Sequence, residues 1–141
     1  MKIAILFDGA SAFATTPEEL ILGTVKAIEE SLVAEGNEVG HIPVFQDGKW
    51  IEKLRKGKFD LAFNMCEGID GIATLESAVI SVLELFKVPF TGASSYTTAV
   101  CLRKHVINGL LEKAGLPIPR FAAIRRGDPL VSVERTRSSS R

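Results

Sequence analysis

Two carboxylates and two glycines crowd one short loop of this chain, Cys66-Glu67-Gly68-Ile69-Asp70-Gly71. The loop follows an apolar run at 58–65 and precedes a helical pattern. Its backbone therefore lies ahead of a helix N-terminus, where unpaired N–H groups and the helix dipole attract an anion. A solvated turn fits the same residues, and both readings stand at this point. Glu76, one turn into the following helix, is also an acid that the helix dipole favours. Asp8 closes the first apolar run, where it can hydrogen-bond a ligand amine or cap the next turn. Lys104, between Arg103 and His105, makes a small basic cluster on a helix, for which a solvated face is the favoured reading from the residues alone. Cys66 has no neighbouring base to generate a thiolate. His41 and His105 lack companions for a dyad, and Cys66 and Cys101 lack metal-ligand spacing. No catalytic or metal-binding residue is assigned.

The loop after residues 2–7, DGASAFATT, holds one glycine of the three a dinucleotide fingerprint needs. No Gly-Lys-Ser or Gly-Lys-Thr is present to wrap phosphates as a P-loop does. A phospho-receiver would cluster acids at the end of the first strand, and only Asp8 is there. The formal net charge is zero, and no basic patch is interleaved with aromatics, so no nucleic-acid partner is expected. Six arginines against two acids from Arg120 onward leave the first 119 residues with a net charge of about −4. No stretch reads as a membrane span or a signal peptide, and a reduced, cytoplasmic protein is expected.

Alternating patterns position these loops. Residues 2–7 are a continuous apolar run, as in a central parallel strand buried on both faces. Thr16-Pro17-Glu18-Glu19 predicts a helix start, and Gly36 its close. Further strands are predicted at 38–44, 58–65 and 88–92, with helices near 50–57, 73–86 and 97–114. Gly115-Leu116-Pro117 stops the last helix, and 118–124 starts another strand. Strands alternating with helices predict an α/β fold, a three-layer open parallel sheet flanked by helices. Ligands of such sheets bind beyond the carboxyl ends of the strands, here loops 8–16, 66–72 and 91–96.

An ordered set of short motifs runs from Phe63 to Phe121. It comprises Phe63-Asn64, Glu67-Gly68, Leu83-Glu84-Leu85, Val88-Pro89-Phe90-Thr91-Gly92, Lys104, and Ala114-Gly115-Leu116-Pro117-Ile118-Pro119. In this order and spacing the chain resembles the first part of an ATP-grasp ligase of the D-alanine–D-alanine ligase type. The resemblance implies a Rossmann-like pre-ATP-grasp domain over 1–117, the first strand of a central domain at 118–127, and a disordered tail at 128–141. It implies an ATP- and magnesium-dependent carboxylate–amine ligase with an amino-acid-like substrate. Glu67, Gly68 and Glu76 would be its substrate-side residues, and Lys104 the lysine that reaches ATP phosphates. Relatives of this type carry an acid where Arg103 stands, often a lysine where Asn108 stands, and usually His-Gly where this chain has Glu67-Gly68. The Glu-Gly form with Glu76 looks closer to ligase-like relatives of other substrate.

The family's adenine pocket, glycine-rich lid and acidic metal ligands belong to later domains. A truncated product, inactive in isolation and without tight ATP or magnesium binding, is therefore expected. The alternative is a stand-alone, non-catalytic binding or dimerisation module. Its homodimer would form through the apolar helix at 73–86 and an unpaired strand at 118–124.

Overall fold

A computed structural model describes residues 1–10, 18–124 and 127. The chain divides into two compact units, Met1–Leu102 and Arg103–Arg141. The first unit contains strand β1 (Lys2–Asp8), helix α1 (Glu18–Ala34), β2 (Glu38–Val44), α2 (Lys49–Gly57) and β3 (Leu61–Asn64). After these come a single 3-10 turn (Ala73–Leu75), α3 (Glu76–Leu85) and α4 (Ser95–Cys101). The strands pair in parallel in the order β2-β1-β3.

β1 is the middle strand and is buried from Ile3 to Asp8, as its continuous apolar run requires. Its side chains alternate between two cores. Ala4 and Leu6 join Ile42, Val44, Trp50, Leu54, Val79 and Leu83 on the face covered by α2 and α3. Ile5 and Phe7 meet Val25 of α1, flanked by Ile21, Ile28 and Leu32, on the other. The expected three-layer open parallel sheet is therefore present. Pro43 sits on β2, an edge strand, where a residue without an N–H can be accommodated.

α1 ends as Gly36 predicts. Gly36 takes φ +78° and donates to the Val33 carbonyl, while the Asn37 N–H reaches the Leu32 carbonyl. This Schellman motif needs a left-handed residue, which glycine adopts without a Cβ clash. The helix start expected at Thr16-Pro17, most of loop 8–16 and the tail 128–141 lie outside the described residues.

Three expectations are corrected. The strand at 88–92 shrinks to one isolated bridge, Ala62 with Phe90, held by Ala62 N–H to Pro89 O (2.8 Å) and Thr91 N–H to Ala62 O (3.0 Å). The helix at 97–114 is two helices. The first, α4, is capped by the Ser94 hydroxyl, which accepts from Thr97 N–H at 3.2 Å. The second, α5 (Lys104–Lys113), belongs to the second unit and starts after Arg103, whose φ −100° and ψ 76° leave the helical region. Finally, no strand forms at 118–124, which is irregular backbone. A strand needs a neighbour to pair with, and no described residue supplies one.

Candidate ligand site at the carboxyl ends of the strands

The carboxyl ends of β1 and β3 and the Phe90 bridge place Asp8, Asn64 and Thr91 along one edge of the sheet. That edge is where an open parallel sheet binds ligands. Asn64 and Thr91 are tied together. The Thr91 hydroxyl accepts the Asn64 N–H at 3.0 Å, and the Asn64 side-chain oxygen accepts the Cys66 N–H at 3.2 Å. The strand-end Phe-Asn and the later Phe-Thr-Gly therefore form one joint that sets where loop 66–72 departs.

Within that loop Ile69 and Ile72 pair antiparallel around Asp70 and Gly71, both with positive φ (51° and 74°). Two left-handed central residues define a type I′ hairpin turn, which Asp-Gly favours. Asp8 holds this turn from below. Its Oδ1 accepts the N–H of Ala10 and of Asp70, each at 3.0 Å, and its Oδ2 accepts the Gly71 N–H at 2.9 Å. Asp8 is only 7% exposed, so these N–H groups replace the water a carboxylate needs. Of its two readings, turn capping is the one the geometry realises. Asp70 reaches the other way, its Oδ2 accepting the Gln46 N–H at 3.1 Å.

Gly68 is buried beneath this turn. A Cβ there would stand 2.8 Å from the Ile72 carbonyl oxygen and 2.9 Å from its carbon. The residue matters for clearance against backbone rather than for its own chemistry.

Glu67 and Glu76, nine positions apart in sequence, line one cavity of about 420 Å³. Asn64, Cys66, Thr91, Gly92 and Thr98 also border it, with Ile80 and Ala93 as apolar wall. Burial, and then the nearby Glu67 carboxylate, push the Glu76 carboxyl above its ordinary range. Burial, with Asp8 and Glu76 adding negative charge, pushes the Cys66 thiol up to about 12, so it is no nucleophile. A second cavity of similar size lies against α1, bordered by Asp8, Ile21, Thr24, Met65, Glu67 and Gly71. Glu67 borders both.

Glu84 ties α3 to α4. Its carboxylate accepts the N–H and hydroxyl of Ser95, which join the end of α3 to the start of α4 and hold the carboxyl below its ordinary range. Lys104 is exposed in the first turn of α5, in the second unit. Among the described residues no three His, Cys, Asp or Glu gather as a metal site, and no helix is long and apolar enough to cross a membrane.

Thus Glu67 and Glu76 come together, with Gly68 shaping the loop between them. Thr91 and Thr98 were not singled out as site residues in the sequence. The Thr91-Gly92 pair in the Pro-Phe-Thr-Gly turn was the only signal for that wall, and Thr98 left none.

Comparison with known proteins places the chain beside one group of ligases. A D-alanine–D-alanine ligase from Citrifermentans bemidjiense is 31% identical over 129 residues, covering 92% of this chain and 39% of the ligase. One from Glaesserella parasuis serovar 5 is 33% identical over 134 residues, covering 94% of the chain and 41% of the ligase. The chain is homologous to the N-terminal part of D-alanine–D-alanine ligase. The crystal structure of the D-alanine–D-alanine ligase from Bacillus anthracis complexed with ATP matches the fold with a TM-score of 0.73. That match has 19% identity and covers 95% of this chain and 43% of the ligase. The chain thus spans about two fifths of the length of the curated ligases it matches. No protein-family model matches it.

Proposed function

We propose that this chain is the substrate-side domain of an ATP-dependent carboxylate–amine ligase of the D-alanine–D-alanine ligase type. In that reaction a carboxylate attacks the γ-phosphate of ATP, giving an acyl phosphate and ADP. An amine then displaces phosphate to leave an amide. The observation that carries the proposal is the cavity at the carboxyl ends of the strands, with Glu67 and Glu76 on its wall, inside the region aligned with the ligases.

Glu67, Gly68 and Glu76 are assigned the amino-acid-like substrate. Lys104 is assigned ATP phosphate, for which an exposed ammonium is a suitable point charge. Phosphoryl transfer of this kind needs magnesium and several positioned cations around the spreading charge. Lys104 supplies one, so these 141 residues on their own are proposed to bind ATP and magnesium weakly and to release no phosphate. Residues 1–117 are proposed as the pre-ATP-grasp domain and 118–127 as the entry to a central domain. A cytoplasmic location follows from the same reading.

The test is a chimera in which residues 1–117 replace the N-terminal part of the Citrifermentans bemidjiense ligase, assayed for amino-acid-dependent phosphate release from ATP. Turnover with any amino acid supports the ligase reading. A folded, ATP-binding chimera that releases none refutes it. Phosphate release by the 141-residue chain alone would refute the proposed inactivity.

A non-catalytic dimerisation module is favoured by one observation, the exposure of Leu85, Phe86 and Tyr96 around α3 and α4. The strand half of the expected dimer surface has no basis, since 118–124 is not a strand. A monomer by light scattering at high concentration would eliminate the dimer.

A further inference from the structure

Asp-Gly occurs three times in this chain, at 8–9, 47–48 and 70–71. Among aspartyl bonds it is the one most prone to spontaneous isomerisation, because glycine has no Cβ to shield its nitrogen from the preceding side chain. In that reaction the glycine nitrogen attacks the aspartic acid Cγ, and a C–N bond closes a succinimide. The nitrogen's proton and the carboxyl hydroxyl leave as water. Water then adds at the former backbone carbonyl and breaks the original peptide C–N bond, so the chain runs on through Cβ and Cγ as isoaspartate. One water leaves and one enters, and no oxidant or reductant is needed.

The fold restrains the three sites differently. At Asp70–Gly71 both reacting groups are held. The Gly71 N–H donates to Asp8 Oδ2 at 2.9 Å and the Asp70 N–H to Asp8 Oδ1 at 3.0 Å. Loss of the Gly71 proton would set an amide anion against the buried Asp8 carboxylate, where water screens little. The Asp70 carboxylate is drawn the other way, its Oδ2 accepting the Gln46 N–H at 3.1 Å. The other two glycine N–H groups meet neutral acceptors, Gly9 the Val44 carbonyl at 2.8 Å and Gly48 the Phe45 carbonyl at 3.3 Å. Asp47 is held by its own neighbour, accepting the Lys49 N–H at 3.0 Å and pairing with the Lys49 ammonium at 2.9 Å.

We propose that Asp70–Gly71 is an aspartyl isomerisation site that the Asp8 carboxylate keeps closed, and that local opening of this clamp exposes it. Isomerisation adds one carbon to the backbone inside a two-residue turn across which Ile69 and Ile72 must pair. The modified loop cannot restore that turn, so the change registers how often the clamp has opened. The inference is independent of the ligase reading.

The experiment ages the full 141-residue chain at neutral pH and physiological temperature, folded and in urea. Isoaspartyl peptides, which keep their mass but separate by chromatography, are located by electron-transfer fragmentation. Asp70 is expected to isomerise about tenfold or more slowly in the folded chain than in urea, the order of one hydrogen bond to a charged group. Asp8→Ala, its folding checked by circular dichroism, should remove that protection and leave the protection of Asp47 as in wild type. Equal rates at Asp70 in folded and urea-unfolded chain would overturn the proposal. So would a folded Asp8→Ala variant that keeps wild-type protection, or one that loses it at Asp47 and Asp70 alike. Should Asp8→Ala not fold, the wild-type chain decides. Gly71 amide exchange and Asp70 isomerisation should then be slowed by the same factor, since both need the same N–H released, and a mismatch beyond about tenfold, one such hydrogen bond, would refute the clamp as the gate.

Discussion

Replacing Asp8 by asparagine removes one charge and exchanges one oxygen for an NH₂, with almost no change in shape. The Asp8 carboxylate accepts three backbone N–H groups, two on Oδ1 and one on Oδ2. Asparagine has one acceptor atom. Placed with its oxygen toward Ala10 and Asp70, it turns an NH₂ against the Gly71 N–H; placed the other way, it abandons the first two. The least costly arrangement loses one charge-assisted hydrogen bond and weakens two more. At about 1.5–3 kcal/mol for a hydrogen bond to a charged group, Asp8→Asn should destabilise the fold by about 2–3 kcal/mol. That is a substantial part of the roughly 5–15 kcal/mol by which a domain is stable. Urea unfolding followed by circular dichroism should show it as a midpoint lowered by about 1 M or more, for a slope of about 1–3 kcal/mol per molar. Amide exchange should accelerate at Gly71 or at Ala10 and Asp70, identifying the side-chain orientation chosen. A midpoint within about 0.2 M of wild type, with unchanged exchange at all three amides, would refute the claim that this carboxylate holds the loop.

Gly68→Ala should cost about 1–3 kcal/mol by overpacking, because the new Cβ meets the Ile72 backbone, which cannot rotate away as a side chain can. Urea unfolding of the variant measures it, and an unchanged midpoint would show that the turn yields freely. Glu84 and Glu76 should bias stability with pH in opposite directions. The Ser95 bonds depress the Glu84 carboxyl, so its contribution is present above the unfolded value near 4.5 and is lost as pH falls through the lower folded value. Glu84→Gln should therefore destabilise at neutral pH and not in acid. Burial and Glu67 raise the Glu76 carboxyl, so its contribution is complete below 4.5 and is lost as pH rises through the raised folded value. Glu76→Gln should stabilise at neutral pH, and unfolding curves at pH 3.5 and 7 check both signs. Iodoacetamide at pH 8 should modify exposed Cys101 and spare Cys66, which is buried with its thiol pushed up to about 12; mass spectrometry of peptides reads the two sites. Modification of native Cys66 at a comparable rate would contradict its burial.

Much of the sheet was legible because its signal is local. A run such as Ile3–Phe7 is apolar throughout, as a short strand covered on both sides must be, and Gly36 marks a left-handed helix end that few other residues tolerate. Elements whose existence depends on a distant partner were misread. Residues 118–124 have strand-like composition but no strand beside them, and the apolar periodicity of 97–114 runs through Arg103, where the backbone leaves the helix. The resemblance to D-alanine–D-alanine ligases rests on ordered short motifs, and order along a chain is a property of sequence alone.

What those motifs do for one another was decided by tertiary structure. Phe-Asn and Phe-Thr-Gly lie far apart in sequence, and their joint exists only because Phe90 pairs beside β3 and brings the Thr91 hydroxyl to the Asn64 N–H. Asp8 could be assigned as a turn clamp rather than a ligand contact only once Asp70 and Gly71 stood over it. The facing of Glu67 and Glu76, and the burial of Thr98 against the same space, likewise depend on how α3 and α4 pack beyond the strand ends. Local residue types specify strands, helix ends and turns through short-range sterics and hydrogen bonding. A ligand site is a convergence of distant side chains, and only the packed chain creates it.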